Sequence, residues 1–289
     1  MAVLLWGGVF VAAKVAMTEI PPEIFAVQRI GVASLVLLAS WVGFKAGFRT
    51  LPWRFLISAG LAQTAFQAMF MQSIHLTTAG LSAILLATSP LLSAAWLVGR
   101  GQERVTPIQW AGLLIGFAGV AIVMGGAVGD ASGTLLGNLL ALGAGAAWAW
   151  YGVAISPLVQ RVGAVRAASA SLLIAGVILS PIALAGLGAV EWGSVSVGAW
   201  AGLGYSGILG LAVPTALWVR SVGRYGTQAT MNYGYVEPVA AVTVAAIVLH
   251  ETLGPIQALG SLLALAGVFL ATGQAGKAAT TRPLVQRRD

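Results

Sequence analysis

Two amides and two aromatic rings form the clearest chemical pattern in the chain. They stand at helical positions i, i+3, i+4 and i+7: Gln63, Phe66, Gln67 and Phe70. At this spacing all four share one face of a helix. Amides interleaved with rings suit an amphipathic solute such as an aromatic amino acid. Interhelical amide hydrogen bonds beside packed rings would need the same pattern, and the residues alone leave both interpretations open.

A second polar stretch contains the carboxylate that lies deepest in an apolar segment. Glu237 is about ten residues, or roughly 15 Å, from the inner end of its predicted helix. It could bind a substrate amine, carry a proton, or form a structural pair with Lys14 or Arg29. Gln228, Asn232 and Tyr235 share a different face of this helix. We expect Asn232 to bind the polar end of a solute.

Further candidates for solute contact lie on other apolar segments. Trp148 and Tyr151 share a helix face and could stack on an aromatic ligand. Trp218 could reach the same cavity. Lys14 suits a substrate carboxylate, although its long side chain could instead extend to the lipid headgroups. His75 could line the outer mouth of the cavity, and the alternative is an ordinary surface histidine.

Three prolines inside apolar segments indicate where helices bend. Pro90, Pro214 and Pro238 each remove a backbone hydrogen bond, so each predicts a kink. The carbonyl freed by a kink must face protein or a water-filled cavity. We therefore expect the three prolines to act as hinges. The cavity walls are expected on the first, third, fourth, sixth, eighth and ninth helices.

Small residues four positions apart predict close helix packing elsewhere. Gly112 and Gly116 form such a pair, and Gly260 and Ala264 repeat it later in the chain. Small side chains let helix backbones approach each other. The fifth and tenth helices are thus predicted to be tightly packed supports away from the substrate. The choice between monomer and homodimer stays open.

The overall composition requires a lipid environment for these elements. Charged residues make up 8% of the 289 residues, against about 25% in an average globular protein. Hydrophobic residues reach 58%, and the mean hydropathy is +0.92. So few charges could not cover a soluble domain. The absence of cysteine excludes a disulfide scaffold, and the apolar content excludes intrinsic disorder.

The hydropathy pattern predicts an all-α polytopic membrane protein with ten transmembrane helices. Each apolar stretch is close to the length of about 20 residues that a bilayer requires. The stretches are 2–18, 24–44, 53–74, 79–99, 107–127, 135–156, 167–188, 197–219, 227–249 and 255–273. Residues 274–289 form a basic tail.

The positions of the charges predict the orientation. With the N-terminus inside, Lys14 and Arg29 are the basic residues within spans, and all other lysines and arginines fall in inner loops or the tail. Outer loops carry acidic residues only. Cytoplasmic loops retain positive charge, so both termini are expected in the cytoplasm. The net charge of +7 is then an orientation signal, and no nucleic-acid partner is expected.

A sequence repeat divides the chain into two halves. Residues 103–120 and 251–268 match without a gap, and both contain a glutamate followed by Pro-Ile-Gln at the same spacing. The halves are 1–128 and 129–273, with five helices each. Five is odd, so the second half enters the membrane from the opposite side. Inverted repeats of this kind are typical of secondary transporters.

Short motifs in both halves resemble a known transporter family. They are Trp6-Gly7-Gly8 with Phe10 and Lys14, then Phe25 and Arg29, then Thr88-Ser89-Pro90, and the repeated Glu-x-x-x-Pro-x-Gln-x-x-Gly run. Together they resemble the EamA repeats of the drug/metabolite transporter superfamily. The chain is also similar to YddG-type exporters of aromatic amino acids. The resemblance implies a ten-helix exporter of small metabolites in a bacterial inner membrane.

The sequence therefore predicts a secondary carrier that works by alternating access and exports amino acids or related small metabolites. The alternatives are a membrane scaffold, a channel subunit or a proton-coupled drug exporter. No nucleotide-binding motif, metal-ligand spacing or catalytic pattern is present, so neither a cofactor, a metal site nor an enzyme is expected. The remaining route to an enzyme would be a catalytic pair assembled in space, with His75 as its base.

Overall fold

The computed structural model describes residues 5, 6, 9, 12, 16–41, 52–77, 79–125, 134–237, 239, 240 and 255–272. Every regular element in this part of the chain is helical, which confirms the predicted all-α class. In chain order the α-helices are α1 Pro22–Leu38, α2 Trp53–Leu76, α3 Ala79–Leu86, α4 Ser89–Gly99, α5 Pro107–Gly125, α6 Leu135–Val162, α7 Ala164–Gly186, α8 Val197–Gly207, α9 Val213–Tyr225, α10 Thr227–Asn232 and α11 Pro255–Thr272.

Several of these helices match predicted spans. Within the described ranges, four stretches are long and apolar enough to cross a membrane: Pro22–Trp41, Leu135–Val162, Ala164–Gly186 and Val197–Tyr225. Shorter apolar stretches are Ile84–Gly99, which runs across the break between α3 and α4, Pro107–Val123 and Ala258–Thr272. Much of the first and ninth predicted spans falls outside the described residues. The count of ten spans and the inverted repeat therefore stay predictions.

Most of the described charged residues lie at the two ends of the bundle. The exceptions are Arg29, which is buried within α1, and Glu237, which is half-buried. At the basic end, where Arg54, Arg100, Arg161 and Arg224 lie, helices α2, α4, α6 and α9 begin or end. At the acidic end, the Glu19 carboxylate accepts two hydrogen bonds from Ser196, which caps the start of α8. One comes from the backbone N–H and one from the hydroxyl, and both are 2.6 Å long. The sequence pattern assigns the same separation to the two sides of a membrane.

Two tight turns at the basic end reverse the chain between consecutive helices. Gly163 joins α6 to α7 with φ +82°, and Gly226 joins α9 to α10 with φ +87°. Positive φ is costly for residues with a Cβ, so glycine is required at both turns. At the other end of α6, the Thr134 side chain caps the helix by accepting from the Gly137 N–H. Its hydroxyl and N–H also donate to the carbonyl of Leu76, which ties α6 to α2.

Helices α5 and α11 pack with their backbones in contact. A methyl group on Gly112 would lie 2.5 Å from the nitrogen of Ala271 and 2.9 Å from the carbonyl oxygen of Gly267. A methyl group on Gly119 would lie 2.7 Å from the carbonyl oxygen of Gly260. Only glycine permits this approach. The predicted close packing of the fifth and tenth helices is confirmed.

Irregular backbone lies next to Pro90 and Pro214, whereas Pro157 and Pro181 stand inside the regular helices α6 and α7. The fourth predicted span is divided into α3 and α4, and Pro90 stands in the first turn of α4. A π-helical turn, Ile208–Ala212, comes just before Pro214. Pro238 lies outside the described residues. Such breaks are frequent at functional sites, but a hinge role for these prolines stays a prediction.

Candidate functional site

Six aromatic rings meet in the middle of the described bundle. The centroid of the Trp148 ring lies between 4.6 and 5.9 Å from the centroids of four other rings. A sixth ring stacks on one of them at 5.4 Å. The members, called here the Trp148 cluster, are Trp6, Phe66, Phe70, Trp148, Tyr151 and Trp218. Tilted and offset arrangements of this kind are favourable between aromatic rings.

Three helices supply most of these rings at regular helical spacing. Helix α6 presents Trp148 and Tyr151 three residues apart, and α2 presents Phe66 and Phe70 four residues apart. Trp218 comes from α9, one turn after Pro214. The hydroxyl of Tyr151 lies 3.1 Å from the Ser171 hydroxyl, which fixes one edge of the cluster to α7. Five of the six members were named as solute-contact candidates from the sequence, and the structure places them together. Trp6 was not among those candidates.

Two buried amides lie on the same helix face as Phe66 and Phe70. Gln63 and Gln67 are both 0% exposed. Among the described residues, neither the oxygen nor the nitrogen of either amide has a hydrogen-bond partner. A buried polar group without a partner costs about 1–3 kcal/mol. Native proteins normally satisfy such groups, so these amides are the atoms that a polar ligand or bound water would engage.

Asn232 belongs to a polar connection between α10 and α4. The side-chain nitrogen of Gln228 donates to the Asn232 side-chain oxygen at 2.9 Å and to the carbonyl oxygen of Pro90 at 3.0 Å. Asn232 is therefore already engaged in a structural contact next to the break in the fourth span. The sequence placed Gln228 and Asn232 on one face but gave no indication that this face meets Pro90.

The other candidates near residue 235 have different surroundings. Tyr235 is buried with its ring against Gly116 of α5, beside the α5–α11 contact rather than in the Trp148 cluster. Glu237 is half-buried, and no hydrogen bond or ion pair joins it to another residue in the described ranges. Tyr233, four residues earlier on the same face as Glu237, is 52% exposed.

Two predicted contact residues cannot be placed against the cluster. Lys14 lies outside the described residues. His75 is in the last turn of α2, and its side chain is outside the described part. The hypothesis that Lys14 pairs with Glu237 therefore stays untested.

A cavity of about 440 Å³ opens at the basic end of the bundle. It is lined by residues from α2, α4, α6, the start of α10 and the loop after α4. None of the predicted contact residues whose side chains the structure describes lines it. No local sequence pattern marks this cavity, because its walls come from four separate helices.

Comparison with known proteins identifies the family. The family model of the "EamA-like transporter family" matches residues 1–125 and 135–273. The chain belongs to the EamA-like transporter family. The matched segments cover nearly the whole chain and fall close to the two halves that the sequence repeat defines.

Similar proteins occur in bacteria and archaea. The "Uncharacterized inner membrane transporter YedA" of Escherichia coli (strain K12) is 27% identical over 93% of this chain and 87% of its own length. The "Uncharacterized transporter" of Archaeoglobus fulgidus is 26% identical over 95% of this chain and 96% of its own length. The "Probable amino-acid metabolite efflux pump" of Salmonella typhimurium is 24% identical over 93% and 92%.

A solved crystal structure shares the fold. Its TM-score is 0.80, and the superposition covers 96% of each chain at 19% sequence identity. At this identity the likeness shows the fold alone. Family membership makes this EamA-like chain a multi-pass membrane transporter rather than an enzyme. Its substrate is a small molecule, and its surroundings are lipid.

Proposed function

We propose that this EamA-like protein is a secondary carrier that exports small amphipathic metabolites, above all amino acids including aromatic ones. The observation that carries this proposal is the position of two amides, Gln63 and Gln67, on the same helix face as rings of the Trp148 cluster. Neither amide has a hydrogen-bond partner among the described residues. Rings can bind the apolar part of such a solute, and amides can bind its carboxylate or ammonium group. The name of the Salmonella relative supports amino-acid metabolites as the solute class.

We also propose that the two halves, 1–128 and 129–273, are inverted repeats that exchange conformations during alternating access. The α5–α11 contact supports this proposal. The repeat pairs Gly112 with Gly260 and Gly119 with Gly267. In space, however, Gly112 meets Gly267 and Gly119 meets Gly260. A two-fold axis perpendicular to two antiparallel helices produces this pattern. It brings each glycine against the repeat equivalent of the other glycine instead of against its own equivalent.

The orientation that fits this proposal places the basic end in the cytoplasm and both termini inside, in a bacterial inner membrane. The basic residues at the ends of α2, α4, α6 and α9 support it, because positive charge is retained on the cytoplasmic side. The acidic residues Glu19, Glu23 and Glu191 would then face outward.

A proton-coupled drug exporter is the second candidate function. The observation in its favour is Glu237, a half-buried carboxylate without a partner in the described ranges. Proton coupling would require this group to bind and release a proton during the cycle. Replacement by glutamine would then abolish the response of flux to a pH difference. A facilitative carrier would keep its downhill flux after the same change.

The test is transport by the purified protein in liposomes. Radiolabelled tryptophan, phenylalanine, leucine, glutamate and lysine would be offered down a concentration gradient, with and without a pH difference. Saturable flux that favours the aromatic solutes supports the proposal, and its response to pH separates the two candidates. A folded protein that carries no amino acid would contradict the assignment of the solute class.

A further inference from the structure

The cavity at the basic end has no role in the site described so far. Its lining combines indole rings, a cation, a carboxylate and small hydroxyl groups, including Trp96, Arg100, Glu103, Trp150 and Ser156. The Arg100 guanidinium lies over the Trp96 ring, 5.4 Å from its centroid. Such a lining has complementary groups for each part of a zwitterionic solute with an apolar side chain: a cation, an anion and aromatic surface.

A thin layer of side chains separates this cavity from the Trp148 cluster. Thr227 lines the cavity, and its hydroxyl donates to the carbonyl oxygen of Gly152 at 3.0 Å. Above the same glycine lie the terminal methyl of Met231 and the ring of Trp218, a member of the cluster. Met231 is 1% exposed and occupies the space that a side chain at residue 152 would need.

We propose that the cavity is a binding site for the transported amino acid at the entrance of its path, and that Met231 on Gly152 is the barrier between entrance and Trp148 cluster. This inference rests on the proposed transport function. Methionine suits a barrier that must move, because its unbranched chain changes rotamer readily. Glycine suits the position below it, because the methionine can then lie directly against the α6 backbone.

Site-directed labelling can test the entrance. The chain has no cysteine, so a single introduced cysteine is the sole thiol. Ser156→Cys lies in the cavity wall, and Ser221→Cys on α9, which is not among the lining residues, is the matched control. Both would be labelled with a charged methanethiosulfonate reagent in the presence and absence of tryptophan. At about ten times its dissociation constant, tryptophan should slow labelling at residue 156 about tenfold and leave residue 221 unchanged.

Two substitutions test the barrier. Gly152→Ala adds a methyl group that meets Met231, Thr227 and Trp218, and should reduce flux about tenfold through overpacking. Tryptophan should still protect residue 156 in this variant, because the charged and indole groups of the cavity are unchanged. The double variant Gly152→Ala, Met231→Ala gives the added methyl group room and should recover most of the flux.

The possible results separate this inference from the proposed function. If the wild-type protein transports tryptophan but tryptophan does not protect residue 156, the entrance assignment is wrong while the carrier function stands. If Gly152→Ala transports normally, Met231 is not the barrier. If the wild-type protein transports no solute of the panel, the proposed function fails, and this inference fails with it.

Discussion

The Trp148 cluster and the α5–α11 contact are both helix interfaces, but the first consists of large side chains and the second of closely packed backbone. In the cluster, large rings from different helices touch one another and two neighbouring amides have no partner among the described residues. In the α5–α11 contact, glycines bring two backbones together, and no room remains for even a methyl group. One interface is made of side chains that can rearrange, and the other of backbone that cannot.

This difference indicates separate tasks for the two regions. A carrier needs a place where contacts change as the solute binds and leaves, and it needs elements that keep their relation throughout. The rings and the two neighbouring buried amides suit the first task. Backbone contact suits the second, because sliding one helix along the other would require glycines to pass bulkier residues. The predictions below test this division, starting with the largest expected effect.

The strongest test of the rigid interface is Gly119→Ala. The new methyl group would lie 2.7 Å from the carbonyl oxygen of Gly260, and neither backbone can yield. We expect a loss of about 3 kcal/mol in stability, at the upper end for overpacking, measured by thermal unfolding in detergent. The control is Gly143→Ala, where the neighbour is the flexible Met69 side chain. Equal stability of the two variants would contradict the assignment of α5 and α11 as a rigid support.

The second test measures solute binding at the Trp148 cluster. Trp148→Ala removes the ring that contacts four others, so we expect solute affinity to fall by about 2 kcal/mol, roughly thirtyfold. Trp148→Phe keeps an aromatic surface and should lose less. The measurement is the KM for tryptophan flux in liposomes. An unchanged KM in Trp148→Ala would remove the cluster from the transport path.

Gln67→Leu tests whether the buried amide binds the solute or stabilises the fold. The change removes two polar atoms that have no partner in the described part of the chain, so thermal stability should stay the same or rise. Solute affinity should fall by about 1 kcal/mol, roughly fivefold, through the lost hydrogen bond. The control on the same helix is Gln72→Leu, which breaks a hydrogen bond to Glu23 at the acidic end. A fall in stability at residue 67 with unchanged affinity would make it a structural amide.

The smallest effect is expected at Glu19, far from both interfaces. Hydrogen bonds from the hydroxyl and the backbone N–H of Ser196 lower the pKa of this carboxyl below its ordinary value of 4.5. A lowered pKa stabilises the fold above the unfolded-state value, and this contribution is lost as the pH falls through the folded-state value. Glu19→Gln should therefore weaken the acid dependence of unfolding slightly and leave flux unchanged. A steeper acid dependence in the variant would contradict this sign.

The sequence predicted which residues belong to the candidate site better than it predicted which residues they contact. Helical spacing placed Phe66 with Phe70 and Trp148 with Tyr151, because spacing determines which residues share a face. It could not say what lies opposite that face. Asn232 and Tyr235 are both buried, as a shared face requires, yet one meets Gln228 and the other packs on Gly116.

Local sequence patterns did not predict the features that are formed by segments distant in the chain. The cavity at the basic end is formed by the ends of several helices, and no local signal marks it. The proposed barrier at Gly152 involves three side chains from two other helices. By contrast, the close packing of α5 and α11 was predictable, because small residues at a four-residue interval in a membrane helix allow a neighbouring backbone to approach.

The most direct test of the role of the Trp148 cluster is binding of tritiated tryptophan to the purified protein. Wild type would be compared with Trp148→Ala, and with Trp200→Ala as a control from the Trp192–Trp200 ring pair outside the cluster. We predict saturable binding that phenylalanine displaces, that Trp200→Ala retains and that Trp148→Ala loses. Equal binding by all three folded proteins would contradict the claim that the Trp148 cluster binds the transported solute.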